Sequence, residues 1–327
     1  MNILEGIVGL KEVPRGGVMS IGNFDGLHRG HRHLLDIGRA LRAQTPGSRL
    51  IVVTFEPHPL TVLRPQAVPP RLSTPEMKRR LLEDAGVDEL VILPPTRDVL
   101  NLTAEQFWNI LVHDARPAHL VEGANFNFGK GRGGTIDRLR EWSRGSGIRL
   151  HVIDEIEVAL LDLQIVDVSS SVARWLLAHG RVRDAAICLG RPYALEGQVV
   201  PGDARGRTIG VPTANLQCAD QLVPADGVYA GRCTIDGVCY PAAISIGTNP
   251  TFDGSRRQVE AHLLGFDGDL YGRTISLDFI DWVREQMRFP GVDALKSQIA
   301  RDLAIVERLQ TCEPARAVAS VASAVPA

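Results

Sequence analysis

The chain has 327 residues, 44% of them apolar and 23% charged, which suits a globular protein divided into two domains and excludes disordered, collagen-like and membrane-spanning classes. Thirty-six Lys and Arg oppose 38 Asp and Glu, so a net charge of −2 provides no global basic field for nucleic acid or an anionic membrane. Any phosphate site must be local. The stretch Met1 to Glu5 has no basic cluster and leads into no apolar leader, and no run of about 18 apolar residues occurs, so a cytoplasmic protein is expected. The five cysteines form no C-x-x-C and, being odd in number and scattered, no disulfide framework. Around Asp236-Gly237, a two-residue hairpin turn places Cys239 opposite Thr234 and Cys233 opposite Tyr240, on opposite faces. The sequence carries no signal of oligomeric state.

From Val18 to about Ile187, short apolar runs alternate with stretches of helical period. The runs begin at Val18, Leu50, Leu90, His119 and Leu150, and helices are expected near 31–43, 74–85, 103–115 and 135–145. Strand and helix repeated in this way predict an α/β domain with a doubly wound parallel sheet, whose ligands sit at the carboxyl ends of the strands. A short helix ended by Gly190-Arg191-Pro192 marks the junction. Beyond it, Tyr193–Val200, Gly227–Ile235, Val238–Ile246, Gln258–Leu264 and Thr274–Ile280 predict a small antiparallel β-barrel, with a helix over Gly291–Arg308. The expected domains are 1–187 and 188–312, and 313–327 is expected to be a disordered tail.

The strongest local signal is Gly22-Asn23-Phe24-Asp25-Gly26-Leu27-His28-Arg29-Gly30-His31, between the first apolar strand and the first helix. Two imidazoles at a helix N-terminus are placed to donate to phosphate oxygens beside free backbone amides, and Gly30 lets the backbone come close. A metal site from His28, His31 and His33, or a plain helix start, are the competing readings. Ser169-Ser170-Ser171 with Arg174 one turn on is either a helix cap or a clamp for a leaving pyrophosphate. Phe55 with His58, and Asn125 with Phe128, put aromatic and polar groups on the strand-end rim that a flat heteroaromatic ring needs, or merely anchor loops. The run Gly129 to Gly134 matches G-x-G-x-x-G but follows no apolar strand, so it reads as a mobile basic loop rather than a dinucleotide fingerprint.

In the second half, Gly202, Gly206 and Gly210 precede Pro212-Thr213-Ala214-Asn215. Glycines at that spacing suit a flap over phosphates, with the Thr213 hydroxyl and Asn215 amide available to Mg²⁺; the bland reading is a glycine-rich hairpin. Glu260 lies within a strand among Val259, Ala261 and Leu263, on the other face from them, either as a surface residue or as a base for a hydroxyl.

Taken in order, G-N-F-D-G-x-H-x-G-H, T-F-x-P-H-P, F-x-F-G-x-x-R-x-G, S-S-x-x-x-R, P-T-A-N, N-P-T-F, V-E-x-H and D-G-D-L-Y-G resemble the bacterial bifunctional riboflavin kinase/FAD synthetase family over about Val18 to Arg308. The resemblance implies a nucleotidyltransferase-like domain, Rossmann-like in architecture, that adenylylates FMN to FAD, and a barrel that phosphorylates riboflavin with Mg-ATP. It implies that His28 and His31 hold ATP phosphates, that Asn23 and Asp25 shape the loop, and that Ser170, Ser171 and Arg174 stabilise pyrophosphate. Phe55, His58, Asn125 and Phe128 would border the flavin, Thr213 and Asn215 would serve Mg-ATP, and Glu260 would take the ribityl proton. Ser171 stands where that family usually has Thr, Ala173 where it has a larger aliphatic, and Asn125 where Asp is frequent. Two alternatives remain at this stage: a chain retaining only the kinase activity, and a flavin-sensing regulatory protein.

Overall fold

The structure, a computed structural model, describes residues 1–202, 206, 210–248 and 257–310. The chain forms two compact units: Met1–Leu176 with Asp184–Arg191 and Asp220–Leu222, and Leu177–Arg183 with Pro192–Ala219 and the chain from Val223.

The first unit is built on β1 (Asn2–Glu5), β2 (Val18–Ile21), β3 (Leu50–Phe55), β4 (Glu89–Leu93), β5 (His119–Gly123), the two-residue pair β6 (Asn127–Phe128) and β7 (Gly134–Thr135), and β8 (Arg149–Ile153). Six of these form one sheet in the order β1-β4-β3-β2-β5-β8, every pair parallel. Both faces are covered. Met19, Ile51, Val53 and Leu120 pack on one side with Leu10 and Trp108, while Val18, Val52, Leu90 and Val121 pack on the other with Leu35 and Leu82. Burial on both faces is why these strands read as continuous apolar runs rather than alternations.

The helices are α1 (Gly6–Glu12), α2 (Arg29–Ala43), α3 (Leu60–Leu63), α4 (Pro75–Asp84), α5 (Arg97–Asn101), α6 (Ala104–Ile110) and α7 (Ile136–Ser143). Thr74 accepts from Met77 N to cap α4, and Thr103 and Gln106 form a capping box on α6, as their spacing predicts. The helix expected to 115 is α-helical only to Ile110, and Leu111–Ala115 winds as one π turn. β1 and α1 were not expected: Asn-Ile-Leu-Glu is too short and mixed to show a period, and it is a strand because it pairs with β4.

β2, β3 and β4 follow one another in one direction, and β5 and β8 lie on the other side of β2. The order therefore reverses between β2 and β5, and a crevice opens outside their carboxyl ends.

A hairpin, β9 (Glu157–Ala159) and β10 (Ile165–Asp167), precedes α8 (Ser170–Ala178) and α9 (Val182–Leu189). The second unit is a closed antiparallel barrel of β11 (Tyr193–Val200), β12 (Ala214–Cys218), β13 (Gly227–Ile235), β14 (Val238–Thr248), β15 (Arg257–Leu263) and β16 (Thr274–Arg284), ordered β11-β12-β15-β14-β13-β16. β12 was read from sequence only as the end of a loop. It is a strand because it pairs with both β11 and β15. In the β13–β14 hairpin Cys239 stands opposite Thr234 and Cys233 opposite Tyr240, with Asp236 and Gly237 both at positive φ, the register that the two-residue turn demands. The C-terminal helix, Val292–Gln310, is tied to β16 where Arg284 donates to both oxygens of buried Asp302 at 2.8 to 3.1 Å. The expected tail and the N-P-T-F run at 249–252 lie outside the described residues.

Candidate active sites

At the reversal point, β2 runs directly into the loop Gly22 to His28, and α2 leaves it. His28 is the N-cap of α2, its Nδ1 accepting from His31 N at 3.3 Å. The two rings stack at 3.6 Å, and a Cβ at Gly30 would come within 3.2 Å of the His28 ring. Burial pushes the pKa of His28 down to about 4 and that of His31 well below its ordinary value, so both imidazoles are neutral near pH 7. With Nδ1 accepting, the proton of neutral His28 sits on Nε2, a donor for a phosphate oxygen. These groups offer N–H bonds rather than positive charge. His33 is exposed, and no metal-holding group of three His, Cys, Asp or Glu occurs among the described residues.

Asp25 is buried at 7% exposure and holds this corner together. Its carboxylate accepts from the backbone amides of Leu72 and Ser73, from the Ser73 hydroxyl, and from Arg174 Nη2 at 2.5 Å. Arg174 Nε donates to Pro70 O at 2.8 Å, which fixes the guanidinium at the rim of the crevice. The Ser170 hydroxyl donates to Asp25 O at 2.9 Å, so in this structure it braces the loop, while Ser171 is exposed. Ala173, the residue before Arg174, is fully buried.

Two cavities open here. The smaller, about 20 Å³, is lined by Asn23, Phe55, His58 and Arg174 together with Glu56, Arg71 and Lys78. Burial and the Arg174 charge lower the pKa of His58, whose Nδ1 accepts from Leu60 N and whose Nε2 lies 3.4 Å from the Asn23 amide. The larger, about 540 Å³, is lined by Gly22, Asn23, Phe55, Asn125 and Phe128, and also by Phe126 and the turn Lys130–Arg132. Phe126 stacks on Phe128 at 5.6 Å, forming an aromatic wall, and a Cβ at Gly134 would strike the Phe128 ring at 2.4 Å. Asn125 donates to Glu155 at 2.5 Å, so the amide is held outward by a carboxylate that the sequence did not reveal. His58 thus joins the cationic cavity, Asn125 and Phe128 the aromatic one, and Phe55 borders both.

Glu122 also escaped the sequence reading. It is 1% exposed on β5, burial raises its pKa well above the usual carboxylate range, and it accepts from Ile21 N at 2.8 Å. β2 and β5 pair only at Val18–His119 and Met19–Leu120, so beyond that point the side chain satisfies the amide that the ladder leaves open.

In the second unit, register builds the site. Asn215 on β12 stands opposite Glu260 on β15, and Ser245 on β14 stands on the other side of Glu260. Val259, Ala261 and Leu263 fill the barrel, leaving Glu260 and His262 half-buried on the outer face. His262 Nδ1 donates to Pro212 O at 2.7 Å, which holds the Pro212-Thr213 segment beside Glu260. A Cβ at Gly202 would lie 2.1 Å from Asn215 Nδ2, and Gly206 accepts from Val211 N, with its own Cβ position 3.5 Å from Thr213 Oγ1. Gly202 leaves the space that the Asn215 side chain occupies, whereas at Gly206 an added Cβ would strike the Val211 carbonyl oxygen and only touch Thr213. Gly210, at φ +83°, has open space around it. A cavity of about 370 Å³ is lined by Pro212, Thr213, Phe266 and Tyr271 and, from β15, by Ala261 and Leu263, so Glu260 lies on the other face of that strand from it.

The family described as FAD synthetase matches residues 10–171, and the family described as riboflavin kinase matches residues 189–310. A bifunctional riboflavin kinase/FMN adenylyltransferase of Escherichia coli strain K12 is 38% identical over 305 residues, 92% of this chain and 96% of its own. The protein of that name from Bacillus subtilis is 33% identical over 299 residues, 90% and 92% of the two chains. A crystal structure of a Streptococcus pneumoniae protein named macrolide-efflux protein superposes with a TM-score of 0.83 at 29% identity, over 94% of this chain and 99% of that one. That name stays with that protein; among the described residues here no helix is long and apolar enough to cross a membrane. Agreement over nine-tenths of relatives that carry both halves means that this chain belongs to the bifunctional riboflavin kinase/FMN adenylyltransferase family.

Proposed function

We propose that the chain phosphorylates riboflavin to FMN in its second unit and adenylylates FMN to FAD in its first, in the cytoplasm, with the functional boundary between residues 187 and 188. The observation that carries this reading is that each unit has its own cavity bordered by residues of its own motifs: Asn23, Phe55, His58 and Arg174 in the first, Thr213 in the second. In the first, the aromatic wall of Phe55, Phe126 and Phe128 takes the isoalloxazine, and Gly22 and Asn23 lead from it to the phosphate corner. The FMN phosphate attacks the α-phosphorus of ATP. Neutral His28 and His31 donate N–H bonds to the phosphates, and Arg174, fixed by Asp25, takes charge from the departing pyrophosphate. Transfer between phosphates needs no protein nucleophile.

In the second, Glu260 accepts the proton of the ribityl 5′-hydroxyl as it attacks the γ-phosphate. The chemistry of the donors suits a hard cation: Thr213 supplies a hydroxyl and Asn215 an amide oxygen, in a cradle kept open by Gly202, and we assign Mg²⁺ bound together with ATP. When bound, the ion neutralises developing phosphate charge; the protein's part is to fix Thr213 and Asn215 next to the base. Chromatography of one mixture of riboflavin, ATP, Mg²⁺ and protein tests the proposal. FAD is expected. FMN alone would mean a kinase only, and neither product would mean a flavin-binding regulator.

A further inference from the structure

The small cavity of the first unit carries more positive charge than its structure consumes. Its charged lining residues are Arg71, Lys78 and Arg174 against Asp25 and Glu56, three cations to two carboxylates, and His58 is held toward its neutral form. Asp25 is taken by Arg174 and by the backbone and hydroxyl groups of 72–73. Glu56 is divided between Arg71, at 2.5 Å, and Lys78, at 3.1 Å. Lys78 is on α4 with its side chain only 9% exposed, and Glu56 is the one hydrogen-bond partner of its ammonium among the described residues. Lys78 lines the cavity, and two of its three ammonium donors have no partner among the described residues. Removing such a donor from water is costly unless an anion meets it, and the protein supplies half of one.

The geometry points to Lys78 as a further catalytic residue of FAD formation, one that receives the pyrophosphate end of ATP in the pocket it shares with Arg174. The inference rests on the adenylylation reading above. A cavity of about 20 Å³ admits one oxygen-sized group, so it takes a single corner of a terminal phosphoryl, with the rest of the triphosphate running past Arg174 toward His28. In the transfer, a bond forms between an oxygen of the FMN phosphate and the α-phosphorus. The bond from that phosphorus to the α–β bridging oxygen breaks, and its electron pair leaves on pyrophosphate. Lys78 donates hydrogen bonds to that leaving group and transfers no proton. Glu56, shared with Arg71, keeps the ammonium aimed into the cavity until the anion arrives.

Added pyrophosphate is the probe, because riboflavin phosphorylation releases ADP instead. In the full chain, Lys78→Met is expected to lower kcat/KM for ATP in FAD formation by about 100-fold, the scale of one charge-stabilising donor. It is also expected to raise at least tenfold the pyrophosphate concentration that halves the rate. Lys78→Arg should recover most of both, and riboflavin phosphorylation should be unchanged in every variant. The double variant Lys78→Met with Glu56→Gln removes the pair together and should show the same loss of pyrophosphate inhibition, which separates anion binding from the cost of an unbalanced Glu56. Pyrophosphate inhibition within twofold of wild type in either Met variant would overturn the inference. A wild-type chain that forms no FAD from FMN would instead overturn the site reading, and this inference with it.

Discussion

The two candidate sites are held in shape by different means. In the first unit a buried carboxylate, Asp25, is saturated by backbone, hydroxyl and guanidinium donors that come from residues 72–73 and 174, so long-range polar contacts fix the geometry. In the second, strand register does so: Asn215, Glu260 and Ser245 are brought side by side by the ladder. The first arrangement is sensitive to charge and pH. The second is expected to be sensitive to a single side chain, Glu260, whose loss should leave the barrel intact.

The largest effect that sharpens this contrast is expected for Glu260→Gln, which keeps size and hydrogen bonding but cannot take a proton. Riboflavin phosphorylation should fall by about 10²- to 10⁴-fold while FMN supplied directly is still converted to FAD. Kinase turnover within about twofold of wild type would return Glu260 to a surface role. Asp25→Ala should act quite differently, on structure as well as rate: it strands Arg174 and the amides of 72–73, costing about 3 to 5 kcal/mol of first-unit stability. Thermal unfolding measured alongside FMN adenylylation checks this, and an unshifted transition would contradict the network.

A smaller effect follows from the neutral imidazoles. The pKa of His28 in the fold, about 4, lies below its ordinary value of 6.5, so its contribution to stability is complete above pH 6.5 and is lost as pH falls through about 4. On this basis the first unit should weaken by on the order of 3 kcal/mol across that window. FAD formation after incubation at each pH reads it. An acid limb that is unchanged in His28→Leu would show that the imidazole is not responsible.

Much of the fold was legible because its signals are local. The Asp236-Gly237 turn fixes its hairpin register within a few residues, and the buried strands announce themselves as apolar runs. β1 and β12 were missed because pairing partners far along the chain, β4 for one and β15 for the other, make them strands. The site divides in the same way. His28 with His31, and Thr213 with Asn215, stand close in sequence, so a local motif singles them out, and the fold keeps each pair together. Glu56, Arg71 and Lys78 matter through contacts that span 15 and 22 residues, and Glu122 through one that spans 101, so no local pattern pointed to them. The Ser170 hydroxyl donates to Asp25 O across 145 residues, a contact that no local pattern announces.

The smallest effect expected is none: ending the chain after Cys312 should leave both activities within about threefold, since an Ala, Ser and Val tail offers little to bury. A tenfold loss in either activity would contradict that.

That the two chemistries occupy separate sites is tested most directly by complementation between full-length variants. Glu260→Gln alone and His31→Ala alone should each fail to carry riboflavin through to FAD, the second accumulating FMN, with its adenylylation down by about 100-fold. Mixed in one tube with ATP and Mg²⁺, they should restore FAD synthesis, because FMN made by one is free to enter the other. A mixture that makes no FAD, or either variant found to have lost both activities while folded, would contradict the account.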